Sequence, residues 1–116
     1  MQRDKQWELV KRRRQARRTR AIAKRLERIN ELSSRLREDV DTASAFAYYD
    51  RPDVRADVTR SLAQITHRHY VLVVEELPRQ RDSFEGLDEI LVKLAKLQGM
   101  TARAIRMRND LWDELC

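Results

Sequence analysis

The chain has few of the residues that make tight turns or disulfide frameworks. Its 116 residues include two glycines, two prolines and one cysteine. Such a composition is poorly suited to a sheet with tight turns. The single cysteine, Cys116, cannot form an internal disulfide and matches no metal-ligand spacing, so the sequence predicts neither a metal site nor a cofactor. The presence of only one cysteine also favours a reducing, intracellular environment.

Long apolar runs are missing as well. No run approaches the roughly 18 apolar residues that cross a bilayer, and the N-terminus lacks the apolar core of a signal peptide. We therefore expect a soluble protein. A membrane surface is also disfavoured as a partner, because an interfacial helix would carry Trp, Phe and Leu on its apolar face. The apolar face of the first predicted helix carries Ile, Leu, Val and Ala at the spacing of a helix-packing seam.

What the sequence has in abundance is charge interleaved with aliphatic residues. Charged residues make up 38% of the chain and hydrophobic residues 41%, a mixture typical of long amphipathic helices. We predict one all-α domain over residues 1–116, with helices at about residues 5–47, 52–77 and 86–114. Three apolar seams are more than a 116-residue monomer easily covers, so we also predict a homodimer.

Apolar residues and turn signals place these helices. Pro52 suits the first turn of the second helix, and Pro78 is a plausible stop for it. Residues 78–86 are predicted to form a polar connection in which Ser83 caps the third helix, and Gly99 is expected to weaken or bend that helix. The seam of the first helix consists of Ile22, Leu26, Ile29, Ser33, Leu36, Val40, Ala43 and Ala47.

The basic residues concentrate at one end of the chain. Residues 1–30 hold twelve Lys and Arg against three acidic residues, whereas residues 31–116 hold thirteen against sixteen. No acidic residue lies between Lys11 and Glu27. A solvent-exposed helix face normally interleaves both signs, and like charges four residues apart destabilise a helix. Such self-repulsion is tolerated when phosphates neutralise it, so the segment predicts polyanion binding.

Part of this charge forms a stripe on the first helix. At about 100° per residue, six basic side chains fall within a sector of roughly 80° opposite the apolar seam. The six residues are Arg13, Arg17, Arg20, Lys24, Arg28 and Arg35.

The sequence contains no module that reads bases. It has no zinc-finger spacing, no Gly-rich clamp loop and no aromatic-rich strand, so sequence-specific recognition is not expected. Rigid basic helices suit duplex phosphates, and recognition of a duplex by shape is common for RNA. Charge alone leaves RNA and DNA open. A DNA-binding or structural assembly protein that uses the same basic helix is therefore an alternative.

The second helix adds a smaller polar set made of Arg60, Gln64, His67 and Arg68. Arg60 and His67 are seven residues apart and share a side of the helix, and this Arg-x₆-His spacing resembles that of HEPN-type ribonucleases. A small HEPN-like ribonuclease is thus a second alternative. General acid–base catalysis needs further positioned partners, which the sequence does not show, so we predict no enzymatic activity. His69 falls in the apolar row and is expected to pack there.

Residues 48–58, with the sequence YYDRPDVRADV, resemble the turn and second-helix start of the nodavirus RNA-silencing suppressors, which are small dimeric proteins that bind double-stranded RNA. That family has a residue such as Tyr before an Asp and a Pro, followed by Val, a basic residue, Asp and an aliphatic residue. The similarity extends over roughly residues 36–86 through short motifs.

The resemblance implies a homodimer whose paired helices form an antiparallel four-helix bundle along one face of double-stranded RNA. Such a viral protein contacts phosphates and 2′-hydroxyls and shields duplexes from Dicer and from loading into the silencing complex. It would act in the host cytoplasm, with host Dicer as a further candidate partner. The RNA-facing positions of the family's second helix map onto Arg60, Gln64, His67 and Arg68. The chain has Val71, Val73 and Val74 where the family uses a later arginine, so that contact is not carried over.

Overall fold

The computed structural model describes residues 2–45 and 52–115, and the side chains of residues 4–44 and 55–106. Helix α1 spans Gln2–Ala45 and helix α2 spans Pro52–Tyr70. A π-helical segment, Val71–Glu76, joins α2 to the short helix α3, Leu77–Gln80, and helix α4 spans Phe84–Leu115. The described residues contain no strand, so the predicted all-α fold is confirmed.

The start of the second helix at Pro52 is confirmed, but the predicted stop at Pro78 is wrong. The helix passes through Pro78 because the preceding turns are π-helical, with the Leu77 N–H bonded to the Leu72 carbonyl oxygen five residues back. Pro78 then lies in the first turn of α3, where the missing N–H of proline is tolerated.

The connection predicted over residues 78–86 is consequently only three residues long, from Arg81 to Ser83. The predicted cap at Ser83 is confirmed, since its Oγ accepts a hydrogen bond of 3.1 Å from the Gly86 N–H. Gly86 is buried against Gln80, and a Cβ at this position would collide with the Gln80 side chain. The short connection therefore depends on both the serine cap and the glycine.

The three long helical stretches lie side by side in an elongated body of 79 × 25 × 17 Å. Helices α1 and α4 run parallel, since Arg18 of α1 contacts Phe84 at the start of α4, and Arg25, two turns later, pairs with Asp88 further along α4 at 2.9 Å. The stretch from α2 to α3 runs antiparallel to both. Its Glu76 pairs with Lys93 of α4 at 3.2 Å, and its His69 meets Ser33 of α1. One chain thus forms a three-helix arrangement, and the dimeric four-helix bundle stays a prediction.

The core lies where the predicted seams meet. Ile29, Leu36, Ile65, Ile90 and Leu94 are at most 1% exposed and come from all three long helices. The other predicted seam members of α1 are buried or half-buried. Ala47 of that seam, residues 48–51 of the nodavirus-like motif and Cys116 lie outside the described residues. Helix α4 continues through Gly99.

Helix α1 is much longer than the body it packs on. Every side chain described from residue 4 to residue 20 is exposed, and the first half-buried residues are Ala21 and Ile22. Near the end of this stretch, Arg18 donates a hydrogen bond to the Asp82 carbonyl oxygen in the connection before α4 and lies against the Phe84 ring of α4. We call residues 2–17, the part of α1 before this contact, the arm. At 1.5 Å per residue the arm is roughly 24 Å long.

Candidate nucleic-acid interface

The six basic residues predicted to form a stripe on α1 are all exposed. The seam on the other side of the same helix is buried, with Ile29, Leu36 and Ala43 at most 2% exposed. A helix that buries one side presents the opposite side to solvent, so the stripe faces away from α2 and α4. The orientation predicted for these side chains is therefore what the structure shows.

The stripe is uninterrupted only in its first part. The helical period places Glu31 in the same sector as Lys24 and Arg28, between them and Arg35. An acidic group there lowers the local positive potential and repels phosphate. We therefore define the cationic stripe as Arg13, Arg17, Arg20, Lys24 and Arg28, which extends over roughly 22 Å of helix. Arg35 lies beyond it, in a sector of mixed charge.

Two arginines of the same segment serve the fold, a role that the sequence did not reveal. Arg18 and Arg25 bring their guanidinium carbons to 5.1 and 4.9 Å from the centre of the Phe84 ring. Arg25 also forms the ion pair with Asp88. Cation–π contacts of this kind contribute about 0.5–1 kcal/mol each at exposed sites. These two side chains tie α1 to the start of α4.

The predicted set on α2 is exposed but belongs to another side of the protein. Arg60 and His67 point away from the core, and Arg68 turns toward α4, where its Nη1 is 4.0 Å from the Met100 sulfur. Arg68 lines a cleft of about 440 Å³ between α2 and α4 whose rim also carries Lys93 and Lys96. Since α1 and α2 each direct their outer sides away from a shared core, the two predicted sets do not form one continuous surface.

The arm carries exposed apolar side chains among its cations. Trp7 is 56% exposed, Leu9 52% and Val10 39%, and the Lys11 ammonium lies 5.9 Å from the Trp7 ring centre. Their positions along the helix spread them over about 160° of its circumference, so they form no single apolar face. Among the described helices, none is both long enough and apolar enough to span a membrane.

Ser33 and His69 form a close polar contact between α1 and α2 in the described part of the chain. Ser33 Oγ and His69 Nε2 are 2.6 Å apart, and Ser33 is 8% exposed between core residues of α1. Burial, and secondly the charge of Arg37, lower the pKa of His69 from its ordinary value of 6.5. A serine buried in this way is closed to substrates, so the pair joins α1 to α2 as a packing contact. The prediction that His69 packs is confirmed.

Within the described residues, no three His, Cys, Asp or Glu side chains converge as metal ligands would. Arg60 and His67, the pair that resembles the ribonuclease spacing, lie two helical turns or roughly 10 Å apart on the exposed side of α2. Comparison of the chain with protein-family models, with curated proteins and with solved structures found no match.

Proposed function

We propose that this protein binds double-stranded RNA through its phosphate backbone, without reading the bases, and acts in this way as a viral suppressor of RNA silencing. The observation that carries the binding proposal is the cationic stripe: five exposed Arg and Lys side chains on the outer side of α1, four of them in the segment from Lys11 to Leu26, which has no acidic residue. A row of fixed positive charges over roughly 22 Å displaces condensed counterions from a duplex, which is the main source of sequence-independent affinity.

The rigidity of α1 supports a duplex as the partner. The stripe runs from the exposed arm onto the part of α1 that is packed on α4, so its C-terminal residues Lys24 and Arg28 are held on a fixed support. A straight row of cations matches the regular backbone of a duplex better than a flexible single strand, which proteins usually hold with stacked aromatic side chains. The choice of RNA, the shielding from Dicer and from loading, and the action in host cytoplasm derive from the nodavirus-like motif.

A homodimer is part of this proposal. Two stripes on one particle would bind one long duplex at two places, and the second contact would be intramolecular and correspondingly favoured. A dimer would also protect a longer stretch of duplex from a nuclease than a single chain, whose longest dimension is 79 Å.

Duplex DNA is a second candidate partner, and the arm is the observation that favours it. The arm is one helix wide and carries cations around most of its circumference, including Lys5, Lys11, Arg12 and Arg14. A helix of about 10–12 Å diameter fits the major groove of B-form DNA, which is about 12 Å wide, whereas the major groove of A-form RNA is narrow and deep.

A matched pair of triple variants tests the role of the stripe. In the first, Arg17→Gln, Lys24→Gln and Arg28→Gln remove three stripe charges; in the second, Arg79→Gln, Arg103→Gln and Arg106→Gln remove three exposed charges elsewhere. Both variants lower the net charge equally and should retain the helical fold, because glutamine is nearly as good a helix former. Duplex affinity would be measured against salt concentration for each.

The stripe variant should lose affinity and flatten the slope of log affinity against log salt by up to about 0.9 for each lost contact, roughly two to three in total. The control variant should keep most of the wild-type slope. Equal losses in the two variants would mean that net charge alone drives binding, and would refute the assignment of the interface to α1.

A further inference from the structure

The cleft between α2 and α4 combines an apolar floor with a charged rim. Its volume is about 440 Å³, within the range of roughly 300–1,000 Å³ that is typical of small-molecule sites. The floor consists of Leu72 and Leu97, which are buried, together with Val71 and Met100, which are half-buried. A groove between two antiparallel helices is narrow and straight, so its shape suits a linear apolar chain.

The charges on the rim are not all neutralised. At one end of the cleft Glu76 and Lys93 form an ion pair of 3.2 Å, so each of these two charges has a partner. At the other end Arg68 lies against Met100, and Lys96 lines the cleft one helical turn before Met100. Within the described part of the chain, neither Arg68 nor Lys96 forms an ion pair. The rim therefore has an excess of positive charge.

Arg68 makes only a weak contact in the cleft. Its Nη1 is 4.0 Å from the Met100 sulfur, and a thioether is a poor hydrogen-bond acceptor. A guanidinium group can donate two charge-assisted hydrogen bonds to one carboxylate, and such bonds are roughly twice as strong as neutral ones. A carboxylate in the cleft would therefore be a better partner for Arg68 than the thioether is.

The π-helical segment forms the wall of the cleft opposite α4. Val71, Leu72 and Glu76 all belong to this segment and all line the cleft. π-helical turns are rare and are frequently found at functional sites. The segment that carries the helix past Pro78 thus also shapes an apolar cleft beside two cations.

We propose that this cleft binds a small amphipathic anion, namely a linear alkyl carboxylate such as a medium-chain fatty acid. Arg68 binds the carboxylate, and Lys96 adds positive potential beside it. The alkyl chain lies on Leu72 and Leu97 and points toward Glu76, whose negative charge repels a carboxylate at that end. Because the cationic stripe of α1 faces away from α2 and α4, this site is independent of the proposed binding of RNA.

Calorimetric titration of the purified protein with decanoate, without nucleic acid, tests the chemistry of the site. Decanol has the chain without the charge and should bind roughly tenfold more weakly, because it loses the charge-assisted hydrogen bonds. Shorter carboxylates should bind roughly fourfold more weakly for each methylene removed, so butyrate should not bind measurably. Equal binding of decanol and decanoate, equal binding of butyrate and decanoate, or no binding of decanoate would overturn the proposal.

Two matched pairs of substitutions test the location of the site. Arg68→Gln should raise the dissociation constant of decanoate roughly tenfold, whereas Arg60→Gln, at an exposed arginine of the same helix outside the cleft, should leave it near the wild-type value. Lys96→Gln should raise it severalfold, and Lys24→Gln on α1 should not. Circular dichroism would establish that each variant is helical. Equal effects within each pair would mean that net charge alone attracts the anion, and would overturn the site.

A local signal separates binding in the cleft from binding elsewhere. The Met100 methyl resonance, observed in protein with isotope-labelled methionine methyl groups and assigned with Met100→Leu, should shift as decanoate binds. An unshifted resonance at saturating decanoate would overturn the assignment to this cleft. So would protein that sediments with phosphatidylglycerol vesicles but does not bind free decanoate, since the partner would then be a membrane surface. Arg68→Gln and Lys96→Gln variants that lose affinity for duplex RNA but bind decanoate normally would instead assign the cleft to the nucleic-acid surface and overturn the proposal.

Discussion

The substitution Leu94→Ala tests the core that all three long helices share. Leu94 is 0% exposed and lies on the buried face of α4. Replacing leucine by alanine removes three carbon atoms, and at about 0.8 kcal/mol for each buried methylene the transfer term alone is about 2.4 kcal/mol. The cavity that remains adds to this loss. The total should be about 3 kcal/mol, within the range of 2–5 kcal/mol seen for buried leucines.

Val92→Ala on the same helix is the matched control. Val92 is 56% exposed, and alanine is the better helix former, so the change should stay within about 0.5 kcal/mol of zero. Urea unfolding followed by circular dichroism at one fixed protein concentration gives both values, because a dimer makes stability depend on concentration. Similar free energies of unfolding for the two variants would refute the packing of α4 described above.

Three further predictions concern single positions. Gly99→Ala should raise the free energy of unfolding by about 0.5–1 kcal/mol, because a Cβ there meets no atom within 4 Å and alanine favours the helix; a destabilised variant would contradict this. Since the pKa of His69 is lowered by burial and by Arg37, the neutral form is favoured in the folded state, so stability should be intact above pH 6.5 and fall as the pH drops below it. His69→Gln should weaken this pH dependence, and an unchanged profile between pH 7.5 and 5 would exclude His69 as its source. Purified protein should leave duplex RNA intact, as should His67→Ala, whereas cleavage lost in that variant would support the ribonuclease alternative.

The sequence predicted the parts of the fold that periodicity and capping chemistry control. The apolar steps from Ile22 to Ala43 identified the buried face of α1, and the same steps identified its cationic side. Ser83 was recognisable as a cap because it lies between a polar turn and an apolar row, and the serine hydroxyl can accept a hydrogen bond from a free N–H group of the first helical turn. These features depend on residues close together in the chain.

What the sequence did not reveal depends on contacts between distant segments or on an altered helical register. Pro78 predicted a helix end, and only the π-helical segment explains why the helix continues. Arg18 and Arg25 looked like members of a basic cluster, yet Phe84 engages both from more than 55 residues away. Glu31, which ends the cationic stripe, was the one signal in the sequence that could have shortened the predicted site.

The proposed binding of duplex RNA by α1, through charge and shape, can be measured directly. The most direct measurement is fluorescence anisotropy of labelled RNA duplexes of equal length and unrelated sequence, with the matching single strands and DNA duplexes, over a range of salt concentrations. We expect similar affinities for all RNA duplexes, weaker binding of single strands, and a linear fall of log affinity with log salt. Absence of binding at 50 mM salt, or affinities that follow the base sequence, would contradict the proposed binding of duplex RNA. A clear preference for DNA duplexes would instead support duplex DNA as the partner.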